Sequence, residues 1–289
     1  MTHLAPPIDA AVAAGSPDRF GYEWQTYAEM RPEYREQFRR WTVHLSPEDW
    51  RGKLFLDVGC GMGRNSYWPM TFGAAGGVAI DVDQRSLAAA QRTLAPFPDV
   101  QLRRLSAYDI DDDDRFDIVF SIGVIHHLAA PEKALAAMVK AAKPAGKVLI
   151  WVYGRENNAL IVFLLTPLRK LVLSRLPIGL VHHLSLYPSL ALWLALRLGL
   201  DSIEYFRMLR RLSFRHLRSI VFDQMLPKIA HYWPRETVDA MMRRSGLIDV
   251  RLAWVNEMSW SAIGTKPGTG NDNRTFSYSP RQDRPREWR

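Results

Sequence analysis

The middle of the chain alternates between two kinds of apolar pattern. Short runs of consecutive apolar residues are typical of strands buried on both faces, and apolar residues at helical spacing are typical of amphipathic helices. The runs predict strands near 54–58, 76–81, 99–104, 116–121 and 146–153. The helical spacing predicts helices near 63–72, 84–95 and 131–143. Strands that alternate with helices in this way predict a parallel sheet covered on both faces, a doubly wound α/β fold.

The residues before this region predict a short N-terminal extension. Residues 1–18 are rich in Ala and Pro, and we expect little regular structure there. Residues 19–45 begin with aromatic side chains and continue as a helix, because Tyr34, Phe38, Trp41 and Leu45 share one helical face.

After residue 233 the pattern returns to that of the core. A proline near its start and Gly246 after its end predict a helix over 234–246. Two apolar runs near 248–256 and 259–265 would then close the sheet as an antiparallel edge, which brings the expected number of strands to seven. Residues 267–289 are rich in Gly, Asn, Ser, Pro and Arg and predict a disordered basic tail.

The segment 155–233 interrupts this order, and its residues 159–200 are strongly apolar. Residues 176–196 carry no formal charge and are long enough to raise the possibility of a membrane span. Because Pro177, Gly179 and Pro188 interrupt them, we expect packed helices that form a lid. The alternatives are a lid that also touches a membrane, or one that accepts an apolar substrate. Asp201, with a glutamate three residues later, predicts the start of a basic amphipathic helix that runs to about residue 225.

The strongest local signal is the string Leu54-Phe-Leu-Asp-Val-Gly-Cys-Gly-Met-Gly-Arg64. It predicts a strand, a glycine turn and a helix start, the arrangement that brings backbone close to a ligand at the carboxyl edge of a parallel sheet. A dinucleotide fingerprint would need a third glycine where Arg64 stands, and no Gly-Lys-Ser/Thr follows as in a phosphate-binding loop. The spacing therefore excludes both of these common nucleotide sites.

The same string, Asp57-Val-Gly-Cys-Gly-Met-Gly, resembles the cofactor loop of class I S-adenosylmethionine (SAM)-dependent methyltransferases. Four further segments resemble that family in the same order: Gly77-Val-Ala-Ile-Asp81, Tyr108-Asp-Ile, Phe116-Asp-Ile-Val-Phe-Ser-Ile-Gly-Val-Ile-His-His-Leu128 and Lys143-Pro-Ala-Gly-Lys147. The resemblance implies a Rossmann-like, mostly parallel sheet of seven strands with a helical lid, SAM as cofactor and S-adenosylhomocysteine as product.

The resemblance also implies roles for individual residues. Asp57 would orient water or the ammonium group of the cofactor, Asp81 would accept hydrogen bonds from its ribose, and Asp109 would contact its adenine. Backbone contacts to the cofactor are expected at Gly59, Gly61, Gly63, Ser121 and Gly123.

The acceptor side is less defined. His126 or His127 could act as general base, because imidazole titrates near neutral pH, or one of the pair could be structural. The expected wall residues of the acceptor site are Tyr22, Trp24, Asp223, His231 and Trp233, with core packing as the alternative for each. No spacing typical of a metal site occurs, so we expect no metal.

The net charge and the cysteine content indicate which partners and which compartment to expect. The net charge of +8 is concentrated in arginines near 207–218, 243–251 and the tail, without a nucleic-acid module around them. Cys60 is the only cysteine, and no signal peptide is apparent, which favours a cytoplasmic protein, with peripheral membrane contact through the lid as a further option. The expected reaction is methyl transfer to oxygen, before nitrogen or carbon, of a small or lipid-linked metabolite. The alternatives are a tRNA or protein methyltransferase, or a SAM-binding module without catalysis. The sequence does not indicate an oligomeric state.

These inferences divide the chain into five segments. They are an N-terminal cover over 1–45, a cofactor-binding core over 46–154, the lid over 155–233, the end of the core over 234–266 and the tail from 267.

Overall fold

A mixed sheet forms the centre of the molecule in this computed structural model, which describes residues 15–159 and 161–268. Its strands are β1 Leu54–Val58, β2 Gly76–Asp81, β3 Val100–Arg104, β4 Phe116–Ile122, β5 Ala142–Tyr153, β6 Ile248–Val255 and β7 Ser259–Thr265. The order across the sheet is β3-β2-β1-β4-β5-β7-β6, and β7 runs antiparallel to both of its neighbours. The predicted doubly wound fold of seven strands is confirmed.

Helices cover both faces of this sheet. Their bounds are α1 Pro17–Thr26, α2 Glu33–Trp41, α3 Pro47–Trp50, α4 Arg64–Thr71, α5 Gln84–Thr93, α6 Pro131–Ala141, α7 Thr166–Leu171, α8 Ile178–Leu184, α9 Leu186–Arg197, α10 Glu204–Arg210, α11 Phe214–Met225 and α12 Arg235–Arg244. A π-helical turn spans Ile161–Leu165, and single 3-10 turns span Ile125–His127 and Leu173–Arg175.

Alternate residues of each strand enter two separate cores, because successive side chains of a strand point to opposite faces. Leu56 and Val58 of β1 pack with α6 and α12 on one face. Phe55 packs on the other face among Phe38, Trp50 and Phe120, together with residues of α2 and α5. The near-continuous apolar strands of the sequence are thus explained by burial on both sides.

The N-terminal helix α1 lies across the carboxyl end of the sheet. It packs against the start of α5, where Gly21 approaches Asp83 so closely that a Cβ at position 21 would lie within 2.1 Å of the carboxylate. Asp83 is itself the N-cap of α5 and accepts hydrogen bonds from the backbone of Arg85 and Ser86. Regular structure begins at Pro17, slightly before the expected limit of the irregular segment, and the rest of that segment lies outside the described residues.

The lid, residues 155–233, contains α7 to α11 in its described part. The predicted single helix from 201 to about 225 is wrong: α10 ends at Arg210 and α11 starts at Phe214. Ser213 causes the new start, since its side chain accepts a hydrogen bond from the backbone N–H of His216 as an N-cap. Asp201 does not cap α10 but forms an ion pair with Arg210 at 2.9 Å.

The predicted basic tail begins at 267, and beyond Gly268 it lies outside the described residues.

Candidate active site

The glycine turn between β1 and α4 forms the floor of a cavity at the carboxyl edge of the sheet. Gly59, Gly61 and Gly63 all have positive φ values, of 79°, 54° and 81°. A Cβ at Gly59 would lie 2.4 Å from Val124, and one at Gly61 would lie 2.8 Å from the indole nitrogen of Trp24. The turn therefore excludes side chains for two reasons, backbone conformation and lack of space. Gly59 and Gly61 line the cavity, whereas Gly63 packs against α5.

Asp81 lies on the cavity wall at the end of β2. Its carboxylate accepts hydrogen bonds from the backbone N–H groups of Gly61 and Asp83, each at 2.9 Å. Burial raises the pKa of Asp81 to about 6, although these hydrogen bonds oppose the rise. A carboxylate has about four lone-pair sites, so two remain for hydroxyl donors in the cavity.

Asp57 is placed behind the turn and not on the cavity wall. It is 1% exposed, and one carboxylate oxygen accepts a hydrogen bond of 2.7 Å from the Ser66 hydroxyl. The other oxygen has no partner among the described residues. Burial raises the pKa of Asp57 to about 7, despite the hydrogen bond from Ser66. A large fraction of the Asp57 carboxyl groups is therefore protonated near neutral pH.

The loop after β3 supplies another wall through Leu105, Ser106, Ala107 and Tyr108. Asp109 does not take part in it, because its side chain is exposed and outside the cavity lining.

The two histidines that follow β4 lie in different environments. His126 is fully buried outside the cavity wall, its ring centroid lies 3.8 Å from that of Tyr153, and neither ring nitrogen has a hydrogen-bond partner among the described residues. Burial holds the pKa of His126 well below its usual value, so the ring is neutral. Gly123 lines the cavity. The Ser121 hydroxyl lies behind it and donates to the Val58 carbonyl at 2.9 Å, which ties β4 to β1.

His127 faces the cavity. Its Nδ1 lies 2.8 Å from the Ile229 carbonyl, which can only accept, so Nδ1 carries the proton and Nε2 is an acceptor. Burial lowers the pKa of His127 to about 3. The ring therefore stays neutral in the physiological range and accepts hydrogen bonds, but it binds a full proton weakly.

Two carboxyl groups meet at the opposite wall, one from α1 and one from α11. Glu23 is 3% exposed, and Asp223 accepts a hydrogen bond of 3.2 Å from the Tyr153 hydroxyl. Burial, reinforced by the charge of Asp223, raises the pKa of Glu23 well above its usual range. Burial also raises the pKa of Asp223. Gln224 donates to the Tyr153 hydroxyl at 2.7 Å and completes a polar cluster.

Arg64, the first residue of α4, brings a positive charge to the same cavity. Its guanidinium lies 5.0 Å from the ring centroid of Trp24, 4.9 Å from that of Tyr34 and 5.3 Å from that of Trp41. Such cation–π contacts hold the charge without using its hydrogen-bond donors. The positive charge lowers the pKa of both Glu23 and Asp223, but burial outweighs it. The donors of Arg64 remain available to an anionic group in the cavity.

The predicted acceptor-side residues fall into two groups. Trp24 and Asp223 line the cavity. Tyr22 does not, because it packs against His182 and Phe222 in the lid. His231 and Trp233 also lie outside the lining and stack on each other with an interplanar angle of 7°. Between them in sequence, Tyr232 does reach the cavity.

The cavity has a free volume of about 250 Å³, near the lower end of the roughly 300–1,000 Å³ typical of small-ligand sites. Its wall fits SAM in three respects: open backbone at Gly59 and Gly61, a carboxylate at Asp81, and a guanidinium at Arg64. Among the described residues no cluster of His, Cys, Asp or Glu side chains suits a metal ion.

Sequence reasoning missed Arg64, Glu23 and Tyr153 as cavity residues. A signal for Glu23 was present, since Phe20, Glu23, Trp24 and Tyr27 fall at helical spacing and all four line the cavity. In the sequence, Arg64 indicates only that the turn is not a dinucleotide fingerprint, because it stands at the position of the third glycine.

Comparison with known proteins agrees with this fold. Residues 56–150 match a family model described as a methyltransferase domain. The core is therefore a class I SAM-dependent methyltransferase domain, as the glycine turn and the fold indicated.

Two curated relatives share this core. A tRNA U34 carboxymethyltransferase of Pseudomonas paraeruginosa is 33% identical over 147 residues, 49% of this chain and 43% of the relative. Phosphoethanolamine N-methyltransferase 2 of Caenorhabditis elegans is 33% identical over 111 residues, 36% of this chain and 24% of the relative. The chain thus spans less than half the length of these curated relatives.

Among solved structures, a Burkholderia thailandensis 1,6-didemethyltoxoflavin-N1-methyltransferase with bound 1,6-didemethyltoxoflavin and S-adenosylhomocysteine superposes with a TM-score of 0.50. The match covers 91% of this chain and 93% of that one at 12% identity, which supports the fold.

The raised pKa of Asp57 predicts how the stability of the fold depends on pH. Its folded-state pKa of about 7 exceeds the unfolded value of about 3.9, so the carboxyl destabilises the fold as pH rises from 4 through 7. Asp57→Asn removes the buried charge and leaves an oxygen for Ser66. We expect the variant to gain up to about 4 kcal/mol in free energy of unfolding at pH 8, with the gain shrinking toward zero near pH 4.

Urea unfolding at several pH values measures this. Asp117→Asn is the matched control, because hydrogen bonds from the Leu54 backbone and Lys143 outweigh burial and lower the pKa of Asp117. That variant should lose stability at pH 8. A gain for Asp57→Asn that does not depend on pH would contradict the assignment.

Proposed function

We propose that the protein is a SAM-dependent methyltransferase that transfers a methyl group to an oxygen of a small or lipid-linked metabolite. The observation that carries the proposal is the set of proton acceptors around one cavity, neutral His127 and the carboxyl pair of Glu23 and Asp223, opposite the cofactor residues Gly61 and Asp81.

In this proposal each side of the cavity has a separate task. When bound, SAM supplies an electrophilic methyl group. The backbone at Gly59 and Gly61 would admit the cofactor, Asp81 would accept hydrogen bonds from its ribose hydroxyls, and Arg64 would pair with its carboxylate. These contacts fix position, which can supply much of the rate enhancement in a transfer of this kind.

The acceptor hydroxyl would be held between His127 and Asp223. His127 accepts a hydrogen bond at Nε2 and orients the oxygen. Asp223 is the better final base, because burial raises the pKa of a carboxyl group and lowers that of an imidazole. Transfer would join the acceptor oxygen to the methyl carbon while the bond from that carbon to the sulfur of SAM breaks and S-adenosylhomocysteine leaves. The Asp223 carboxylate would take the hydroxyl proton. His126, buried with both nitrogens outside the cavity wall, would serve packing.

A second candidate is methylation of tRNA, which the similarity to a tRNA U34 carboxymethyltransferase favours. Exposed arginines on α10 and α11, among them Arg207 and Arg215, could contact phosphates. The other relative carries the name phosphoethanolamine N-methyltransferase 2, which favours a small acceptor, although its name gives nitrogen as the methylated atom. The small cavity is compatible with a metabolite or with a single flipped base.

The two candidates are separated by labelling. The full chain is incubated with methyl-labelled SAM and fractionated extract of the producing cells, and the label is followed into small molecules, lipid and RNA. We expect label in the small-molecule or lipid fraction. Label that is released by ribonuclease, with transfer that falls steeply as salt rises, would overturn the main proposal in favour of tRNA.

Variants assign the residue roles. Because the pKa of Asp81 is about 6, we expect the wild type to bind S-adenosylhomocysteine more weakly below about pH 6. Asp81→Asn should weaken this binding, measured by calorimetry, and abolish its pH dependence. Asp223→Asn should retain this binding and lower kcat by about 100-fold, the lower end of the range for loss of a general base. His127→Ala should also retain binding, with a smaller loss of kcat.

His183→Ala, at an exposed histidine of α8, is the matched control and should change neither quantity. Equal loss of binding in the Asp81 and Asp223 variants would remove Asp223 from the role of base.

A further inference from the structure

The described part of the lid exposes many apolar side chains, where a surface that faces water would expose polar ones. Outside the lid only two large apolar side chains, Val43 and Leu54, are substantially exposed among the described residues, whereas the lid contributes a long series. The exposed lid residues are Phe163, Leu164, Leu168, Leu171, Val172, Leu180, Tyr187, Leu190, Leu194, Leu198 and Leu200. A patch of this kind on a soluble protein marks a surface that something else covers.

The first half of this surface belongs to α7 and the π-helical turn before it. Phe163 and Leu164 are 74% and 64% exposed, and Leu168 and Leu171 follow at helical spacing on the outer side. Of the two basic residues of the same helix, Lys170 is exposed, whereas Arg169 is fully buried and donates to the Gln224 carbonyl at 3.0 Å. The outer side of the helix therefore combines apolar side chains with one positive charge.

The second half of this surface belongs to α9, which also exposes a row of apolar side chains. Tyr187, Leu190, Leu194 and Leu198 are spaced to share one face and are 47–82% exposed. The buried side of the helix carries Ser189, whose hydroxyl donates to the Ser185 carbonyl at 2.6 Å. Both serines are fully buried. Neither helix is arranged as the amphipathic helix of a water-facing surface.

The charge around this surface has a single sign. No Asp or Glu occurs between positions 157 and 200, while Lys170, Arg175 and Arg197 are exposed. Arg197 lies 5.1 Å from the ring centroid of Trp193, which is half-buried at the same helix end. Exposed leucines beside lysine, arginine and tryptophan are typical of helices that lie in the interface of an anionic bilayer.

The segment Ile178–Arg197 is long and apolar enough to span a membrane, with 17% of its most apolar window buried. Its inner side is nevertheless occupied by protein. Val181 of α8 packs with Phe222 and Met225 of α11, and Leu196 of α9 packs with Leu209 and Leu217. A helix with one face against its own domain and the other face apolar suits the plane of the interface.

We propose that the outer face of the lid, formed by α7, α8 and α9, docks on the surface of an anionic lipid bilayer. The exposed leucines enter the acyl boundary, and Lys170, Arg175 and Arg197 contact the headgroups. This inference does not depend on which acceptor the cavity takes.

The test measures sedimentation of the purified full chain with vesicles. One preparation is phosphatidylcholine alone, and the other is an equal mixture of phosphatidylcholine and phosphatidylglycerol. We expect binding to the mixed vesicles, weaker binding to the neutral ones, and release by high salt in part only. Leu190→Gln/Leu194→Gln should bind the mixed vesicles at least about tenfold more weakly. Full burial of one leucine side chain is worth about tenfold or more in affinity, and docking buries the exposed half of each of the two. Lys170→Glu/Arg197→Glu should lose the preference for anionic lipid.

Val43→Gln/Leu54→Gln, which removes two exposed apolar side chains outside the lid, is the matched control and should bind as the wild type does. S-adenosylhomocysteine binding confirms that each variant is folded. Two results would overturn the proposal. One is absence of vesicle binding together with a dimer that Leu190→Gln/Leu194→Gln converts to a monomer, which would make a second copy the occupant. The other is resistance of cell membranes carrying the protein to alkaline extraction, which would indicate a true span.

Discussion

The close approach of α1 to the glycine turn is the constraint on which the site depends. The indole of Trp24 occupies the space that a Cβ at Gly61 would need, and Gly21 lies against the Asp83 carboxylate that caps α5. Since α1 is fixed at both points, Glu23 is directed into the cavity beside Asp223 of the lid. One short helix thus joins the cofactor turn, the sheet edge and the acceptor wall, and a side chain at either glycine would separate them.

Burial then shifts the pKa values of the titratable groups in this cavity, and of Asp57 behind the glycine turn, in a direction set by their charge type. It raises the pKa of Asp57, Asp81, Glu23 and Asp223, and it lowers the pKa of His127. The imidazole, which is the usual candidate for a base at neutral pH, becomes the weaker proton acceptor, and the carboxyl groups become the stronger ones. Arg64 balances the charge that remains, and its aromatic neighbours keep it in place without consuming its donors.

The sheet and the glycine turn could be predicted from sequence because their signals are local. Buried strands appear as apolar runs, and a turn that excludes side chains appears as Gly59, Gly61 and Gly63. The polar cluster could not be predicted in this way, because Glu23 and Asp223 meet only through the docking of α1 on the lid, 200 positions apart in the chain. The break before α11 was missed because the basic amphipathic pattern continues through Ser213, whose capping bond is a single local contact. Asp109 shows the reverse error, in which a motif acid points to solvent while its neighbours form the wall.

The lid connects its unusual outer surface to the chemistry through α11. Phe222 packs among Leu173 and Val181, the core beneath the exposed apolar face, while the next residue, Asp223, lines the cavity. Arg169 of α7 strengthens this link, since its buried side chain donates to the carbonyl of Gln224, the residue after Asp223. The position of the Asp223 carboxylate therefore depends on how the apolar helices pack. A surface that holds these helices from outside would stabilise the same geometry that places the Asp223 carboxylate, which would give the exposed apolar face of the lid a physical role in the site itself.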